Sequence, residues 1–254
     1  MTPWRLSGAG NTFLIEILTD GKTAPSEAQI QNLCRQHGVD GYLGLMSQRH
    51  EKFQWNFFNK DGSSAEFCGN AARCAQYYLY EVLQKDRAIH KTISGEIETF
   101  FHSDSHWVQM PKAEIFQQEF TLTVRGKDYS GLWCDTGVPH FVVINESGLL
   151  DRTLSKELRF HPDLGSRGAN VTWVQRNEGE YLEATTYERG VEDFTQACGT
   201  GALAAALWAH QQQADKNQFR IKMPGGLLLV KRIRSHWLMT GPVTKLGEWQ
   251  GSGT

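Results

Sequence analysis

The chain has 254 residues, enough for one large domain or two of about 100 to 150 residues. Charged residues make up 21% and hydrophobic ones 40%, with only seven prolines, which excludes disorder as the main state. The 26 Lys+Arg against 28 Asp+Glu give a formal net charge of -2, so no global basic field exists for nucleic acid or an anionic membrane surface, and a small molecule is the expected partner.

In chain order, the start Met1-Thr2-Pro3-Trp4-Arg5 lacks a basic stretch followed by an apolar run and a cleavage site, so the expected location is the cytoplasm. A β-rich opening and a polar, Gly-containing loop lead to Cys68-Gly69, where a helix is predicted. Its stripe is Ala71, Ala75, Tyr78, Leu79, Val82 and Leu83, interleaved with Gln76, Glu81, Gln84 and Lys85, so one face is expected to pack on a sheet. Strands are predicted at Phe141 to Ile144, Val171 to Val174 and Leu227 to Ile233, from β-branched and apolar runs bounded by Gly, Pro or Asn. Between the last two, Gly199 to His210 is apolar nearly all round, the mark of an enclosed central helix, and its apolar run falls short of the roughly 20 residues that span a bilayer.

The chain also resembles itself. Residues 66–75 align with residues 196–205, placing Cys68 opposite Cys198 at an offset of 130, and Ser105-His106-Trp107 recurs as Ser235-His236-Trp237 at the same offset. Asn11-Thr12-Phe13-Leu14-Ile15 resembles Pro139-His140-Phe141-Val142-Val143 at an offset of 128. The expectation is an α/β fold of two pseudo-symmetric halves, 1–125 and 126–254, each a curved mixed β-sheet or barrel around a central helix.

Five cysteines (34, 68, 74, 134 and 198) are an odd number in a large chain, which argues for thiols rather than a disulfide framework. None of the intervals has zinc-site spacing, and Cys68 and Cys74 on one helix would point about 240° apart, so no metal is expected. A thiol at a helix start meets unpaired backbone N–H groups and the positive end of the dipole, which favour the thiolate. The small residues that follow, Gly69-Asn70-Ala71 and Gly199-Thr200-Gly201, let the same N–H groups approach a carboxylate. Two such thiols across one cleft suit stereoinversion at an α-carbon, one removing a proton and the other returning one to the opposite face. That chemistry needs no cofactor. The competing reading of these residues is two Cys-Gly turns that merely cap helices.

The motifs resemble the diaminopimelate epimerase family over nearly the full length. They are Gly8-Ala9-Gly10-Asn11-Thr12-Phe13, Gly38-Val39-Asp40-Gly41, Asn59-Lys60-Asp61-Gly62-Ser63, Ala65-Glu66-Phe67-Cys68-Gly69-Asn70, Gly137-Val138-Pro139-His140, Asn170, Tyr187-Glu188-Arg189-Gly190 and Ala197-Cys198-Gly199-Thr200-Gly201. The resemblance implies that Cys68 and Cys198 are the acid/base pair and that Gly69, Asn70, Gly199 and Thr200 hold the α-carboxylate. It implies substrate contacts for Asn11 and Glu188, a distal-carboxylate role for Asn59, Asn170 and Arg189, and an auxiliary role for His140. It implies no cofactor, and it allows a homodimer. The sequence departs from the family pattern at Val138, where the family has Asn, and at Ala71, where it commonly has Gly. Val138 removes a distal donor, so the alternative is a racemase or epimerase of the same architecture acting on another amino acid. Proline-racemase-like enzymes share the chemistry without the Glu188-Arg189 and Asn59 constellation. A Cys-nucleophile hydrolase would use one thiol with a His, and a catalytically dead binding protein would more naturally lose one thiol, whereas both are present.

Overall fold

The computed structural model describes residues 1–19, 21–49, 51–65, 67–146, 148–176 and 180–252; Glu66 of the first cysteine motif therefore lies outside the described residues. The first run of elements is β1 (Trp4–Gly8), β2 (Asn11–Leu18), α1 (Glu27–His37), β3 (Gly41–Ser47), β4 (Lys52–Asn59), α2 (Gly69–Leu83), β5 (Arg87–Thr92), β6 (Gly95–His102), β7 (Ser105–Gln109) and β8 (Glu114–Val124). The second is β9 (Lys127–Asp135), β10 (Pro139–Ile144), α3 (Arg152–Arg159), β11 (Asn170–Arg176), β12 (Tyr181–Glu188), the two-residue β13 (Asp193–Phe194), α4 (Gly199–Gln212), β14 (Gln218–Met223), β15 (Gly226–Ile233), β16 (His236–Thr240) and β17 (Val243–Glu248). The protein is a mixed α/β fold.

Pairing repeats as closely as order does. β1 and β2 are antiparallel, β2 and β3 parallel, β3 and β4 antiparallel, β4 and β5 parallel, and β5 and β6 antiparallel. In the second run β9 and β10, β10 and β11, β11 and β12, β12 and β14, and β14 and β15 repeat that alternation in the same order. Each parallel step is bridged by one helix, as parallel pairing requires.

The last strand of each run leaves it. β8 forms an antiparallel hairpin with β9, and β17 pairs antiparallel with β1, Trp4 opposite Glu248. The compact units are accordingly residues 1–109 with the segment from Thr240 onward, and Met110–Met239. Residues 110–125 and 240–254 thus fall in the other unit from the one that halves at 1–125 and 126–254 would give them, because ladder hydrogen bonds outweigh chain proximity.

In the first unit the sheet is covered on both faces. β2 is buried from Phe13 to Leu18, without the alternation of a half-exposed strand. Leu14 packs with Ile30 and Cys34 of α1, Val39, Tyr42 and Trp249, while α2 lies against β1, β6 and β7. Ser26 and Gln29 form a capping box that starts α1, and Gly38 in the left-handed region ends it. In the second unit Phe141, Val143, Val171, Trp173 and Tyr187 pack with Leu158 and Leu164, and α4 lies against β10, β11, β12 and β14. Truncating a fully buried side chain such as Ile30 or Leu158 to alanine would cost about 2–5 kcal/mol.

α4 is enclosed as its composition requires, buried from Gly201 to His210. α2 differs from the one-faced helix read in its stripe: every residue from Gly69 to Gln76 is buried, whereas Val82 and Leu83 are half-buried. The reason lies in polar partners. Gln76 donates to Lys85 O at 2.8 Å and accepts from Thr99 Oγ1 at 2.7 Å, which removes the cost of burying its amide. Ala71 is buried in the first turn and is absent from the residues with positive φ, so the alanine brings no backbone strain. Among the described residues no helix is long and apolar enough to cross a membrane.

Candidate active site

Cys68 and Cys198 occupy the same place in their units. Each is the N-cap of the helix that begins at the next residue, with extended backbone (φ -141°, ψ 111° and φ -116°, ψ 109°). The Cys68 side chain makes no cap hydrogen bond to its helix, while Cys198 Sγ accepts from Gly201 N–H at 3.4 Å. Cys68 is half-buried and Cys198 is only 4% exposed. The remaining thiols are disabled by burial, which pushes Cys34 up to about 11 and Cys74 and Cys134 up to about 12. At neutral pH those three are uncharged packing groups.

In the first unit, Asn11 at the start of β2 and Asn70 in α2 are joined directly: Asn70 Nδ2 donates to Asn11 Oδ1 at 2.8 Å. The end of β1 closes over this turn. A Cβ on Gly8 would meet Asn70 O at 2.8 Å and Cys74 Sγ at 2.9 Å, so only glycine lets the strand approach. Asn59 is held within its own turn. It is exposed at the end of β4, and its amide donates to Ser63 Oγ at 3.1 Å.

In the second unit the candidates form one connected network. β10 and β11 place His140 opposite Asn170 in parallel register. A backbone N–H can only donate, so the 2.7 Å contact from Arg189 N fixes Asn170 Oδ1 as its acceptor. Asn170 Nδ2 then faces His140 Nε2 at 3.1 Å, which must accept. The ring therefore carries its proton on Nδ1 and donates to Thr172 Oγ1 at 2.8 Å, and Thr172 can pass its own proton to Thr186 Oγ1 at 3.2 Å. With Nε2 bare, the 3.0 Å contact to Thr200 Oγ1 is a bond donated by the threonine. Thr200 Oγ1 also lies 3.3 Å from Cys198 Sγ, and its carbonyl accepts from Thr136 Oγ1 at 3.0 Å.

Burial, aided by the charge of Arg189, pushes the His140 imidazole down to about 3, so it stays neutral across the physiological range. Glu188, at the end of β12, has its carboxyl pushed up by burial, and the neighbouring Thr195 and Cys198 side chains draw it partly back down. Cys198 Sγ thus has the Gly201 backbone donor and the Thr200 hydroxyl as its contacts, with the Glu188 carboxyl close by.

The family model described as diaminopimelate epimerase matches residues 6–116 and 132–246, a span that includes both cysteine helix starts. The chain belongs to the diaminopimelate epimerase family. It is similar to the diaminopimelate epimerase of Aquifex aeolicus (strain VF5), 34% identical over 223 residues that cover 80% of this chain and 79% of that protein. It is 32% identical over 255 residues to the diaminopimelate epimerase of Chlamydia trachomatis serovar L2, covering 97% of this chain and 91% of that one. Among solved structures, a phenazine biosynthesis protein of the PhzF family from Enterococcus faecalis aligns with TM-score 0.73 at 13% identity, covering 98% of this chain and all of that one. A hydroxyproline epimerase from Agrobacterium vitis, with bound trans-4-OH-L-proline, aligns with TM-score 0.72 at 12% identity, covering 98% and 91%. At such identities these two show a shared fold alone.

Viewed as a member of the diaminopimelate epimerase family, the chain holds functional neighbours that its motifs do not mark. Thr172 and Thr186 orient His140 from mid-strand, where threonine reads only as a β-former. Thr195 and Cys198 both lie close enough to Glu188 to lower its carboxyl's pKa. Buried Arg73, one turn into α2, reads in the sequence as a surface residue.

Proposed function

We propose that this protein interconverts L,L- and meso-diaminopimelate by a two-base mechanism without a cofactor, as an isomerase of lysine biosynthesis in the cytoplasm. The observation that carries this reading is the matched placement of Cys68 and Cys198 as N-caps of α2 and α4, while burial keeps the other three cysteines protonated. In one direction a thiolate takes the α-proton and the other thiol gives its proton to the opposite face; the reverse reaction exchanges the roles. The helix-start N–H groups of Gly69, Asn70, Gly199 and Thr200 stabilise the charge that develops on the α-carboxylate. Glu188 and Thr200 manage the proton of Cys198. Glu188 accepts it from the thiol, and the Thr200 hydroxyl can turn from His140 Nε2 to the sulfur when the thiol is ionised. Asn11 contacts the substrate, and Asn59, Asn170 and Arg189 serve the distal carboxylate. Asn170 acts there mainly by fixing His140 and the Arg189 backbone, since both ends of its amide are engaged.

One observation favours a second reading. Val138, half-buried between Gly137 and Pro139, puts an apolar side chain where the family pattern has an amide, and its carbonyl is already taken by Thr136 N–H at 3.1 Å. An amino acid without a distal carboxylate would suit that wall. The two readings separate in one experiment: L,L-diaminopimelate in D2O, no added cofactor, followed by NMR for loss of the α-proton and by chiral separation for the meso product. Exchange together with inversion supports the proposal; inversion only of a substrate lacking the distal carboxylate supports the alternative.

A further inference from the structure

Arg73 is fully buried, one turn inside the positive end of α2, where a cation is disfavoured by the helix dipole. Among the described residues it pairs with no carboxylate, and its Nε has no hydrogen-bond partner. A buried cation of this kind is expensive unless its charge and donors serve something at hand. Its donors lead to the candidate substrate side of the helix. Nη2 donates to Asn70 Oδ1 at 3.0 Å, and Nη1 reaches Gly69 O at 3.4 Å. Burial draws the guanidinium down to about 10, so it is still cationic at neutral pH.

A guanidinium has no acceptor, and this sets the polarity of everything beyond it. Asn70 must present its oxygen to Arg73, so its nitrogen faces Asn11, and Asn11 must present its oxygen in return at 2.8 Å. The amide nitrogen of Asn11 is then the far end of a relay in which every group donates in one direction. We infer that Arg73 is a positioning residue that locks the Asn70 amide toward Asn11 and the Asn11 amide nitrogen toward the substrate, making Asn11 a donor to the substrate carboxylate rather than an acceptor for its ammonium. This rests on the proposed epimerase reading. At the equivalent place in the second unit stands Leu203, and Thr200 takes its orientation from neutral His140.

The test uses Asn11→Asp, Arg73→Lys and Arg73→Met in the full chain, each checked for native fold by circular dichroism. Asp at 11 keeps the oxygen that Asn70 needs but cannot donate. The inference expects KM for L,L-diaminopimelate to rise roughly 30-fold or more, with a much smaller change in kcat. An unchanged or lower KM would mean that Asn11 offers its oxygen to the ammonium, and the inference would be overturned. Arg73→Met should raise KM similarly, and Arg73→Lys, which retains the charge and one donor, should recover part of the loss; should either fail to fold, Asn11→Asp decides alone. A substrate-independent readout separates this inference from the functional reading. The side-chain NH2 resonances of Asn70 should exchange slowly with solvent in the wild type and faster in Arg73→Lys. Slow exchange in a wild-type protein that leaves diaminopimelate untouched would overturn the function and leave the relay standing, whereas equal exchange in both proteins would overturn the relay.

Discussion

Gly201 is the third residue of α4, and adding one methyl group there tests how the second helix start is built. A Cβ would overlap Thr186 Oγ1 and come within 3.3 Å of both Cys198 Cβ and Thr172 Oγ1. The backbone itself welcomes alanine, since Gly201 is absent from the positive-φ positions, and helix propensity would favour the change by about 0.8–1.0 kcal/mol. Against this stand overpacking, about 1–3 kcal/mol, and loss of the Thr172–Thr186 hydroxyl bond, about 0.5–1.5 kcal/mol. Thr186 cannot swing clear cheaply, because it is β-branched, buried and in mid-strand. The balance is a destabilisation of about 2 kcal/mol. In a Thr186→Ala background the overlap is gone and the propensity gain remains, so the same substitution should be neutral or stabilising by up to about 1 kcal/mol. Urea unfolding of the four proteins at constant m measures the coupling, expected at about 2–3 kcal/mol. Epimerisation should fall in the single variant, as displacement of Cys198 by about 1 Å can cost about 100-fold. An equal cost of Gly201→Ala in both backgrounds would refute the steric account of this turn.

Cys68→Ala and Cys198→Ala should each lower epimerisation at least about 100-fold, while Cys34→Ala, Cys74→Ala and Cys134→Ala retain most activity in the folded fraction; steady-state rates on purified variants decide. His90 and His140 are fully buried, and burial pushes both imidazoles down to about 3, with Arg189 adding to the effect at His140. The unfolded chain protonates them first, so their contribution is whole above about pH 6.5 and is lost as pH falls toward 3, with a limiting slope near 2.7 kcal/mol per pH unit for the two rings. Urea midpoints between pH 7.5 and 4.5 should show this decline; His106, pushed down to about 4 by burial, adds a third ring of the same sign, so His90→Gln should remove about a third of the combined slope, and a wild-type midpoint that ignores pH would contradict it. Val138→Asn should lower KM for diaminopimelate by about 2- to 10-fold through one added hydrogen bond, and a raised KM in steady-state assays would point to a ligand with an apolar end.

The two helix starts were legible because a thiol followed by small residues has few other uses at the head of an apolar run, and Gly69 and Gly199 are indeed the first helical residues. β10, β11 and β15 follow from their β-branched and apolar runs. Gln76 and Arg73 were not legible as interior residues. Their spacing belongs to the polar side of a helical stripe, and the groups that satisfy Gln76, Thr99 and the carbonyl of Lys85, arrive from other elements. Asn59 belongs to a motif of the chain, and the motif does not show that its amide is held by Ser63 of its own turn. The exchange of β8 and β17 is invisible to periodicity, because a strand's alternation says which face is buried and nothing about which strand lies beside it.

That exchange governs how the chain can be made and cut. The first unit holds both Trp4 and Glu248 in one ladder, so during synthesis β1 pairs with β2 on one edge while its other edge waits until Val243–Glu248 has been translated. Closing a ladder across so long a loop is a late and slow event, and until then β1 exposes an unpaired edge of the kind that recruits other chains. A fragment stopped before Val243 would carry Cys68 and all of α2 and still lack the strand that completes its sheet. The first unit is therefore not a contiguous module to be expressed alone. A circular permutation that joins residue 248 to residue 4 through a short turn would bring β17 and β1 out of the ribosome together and should shorten the aggregation-prone interval.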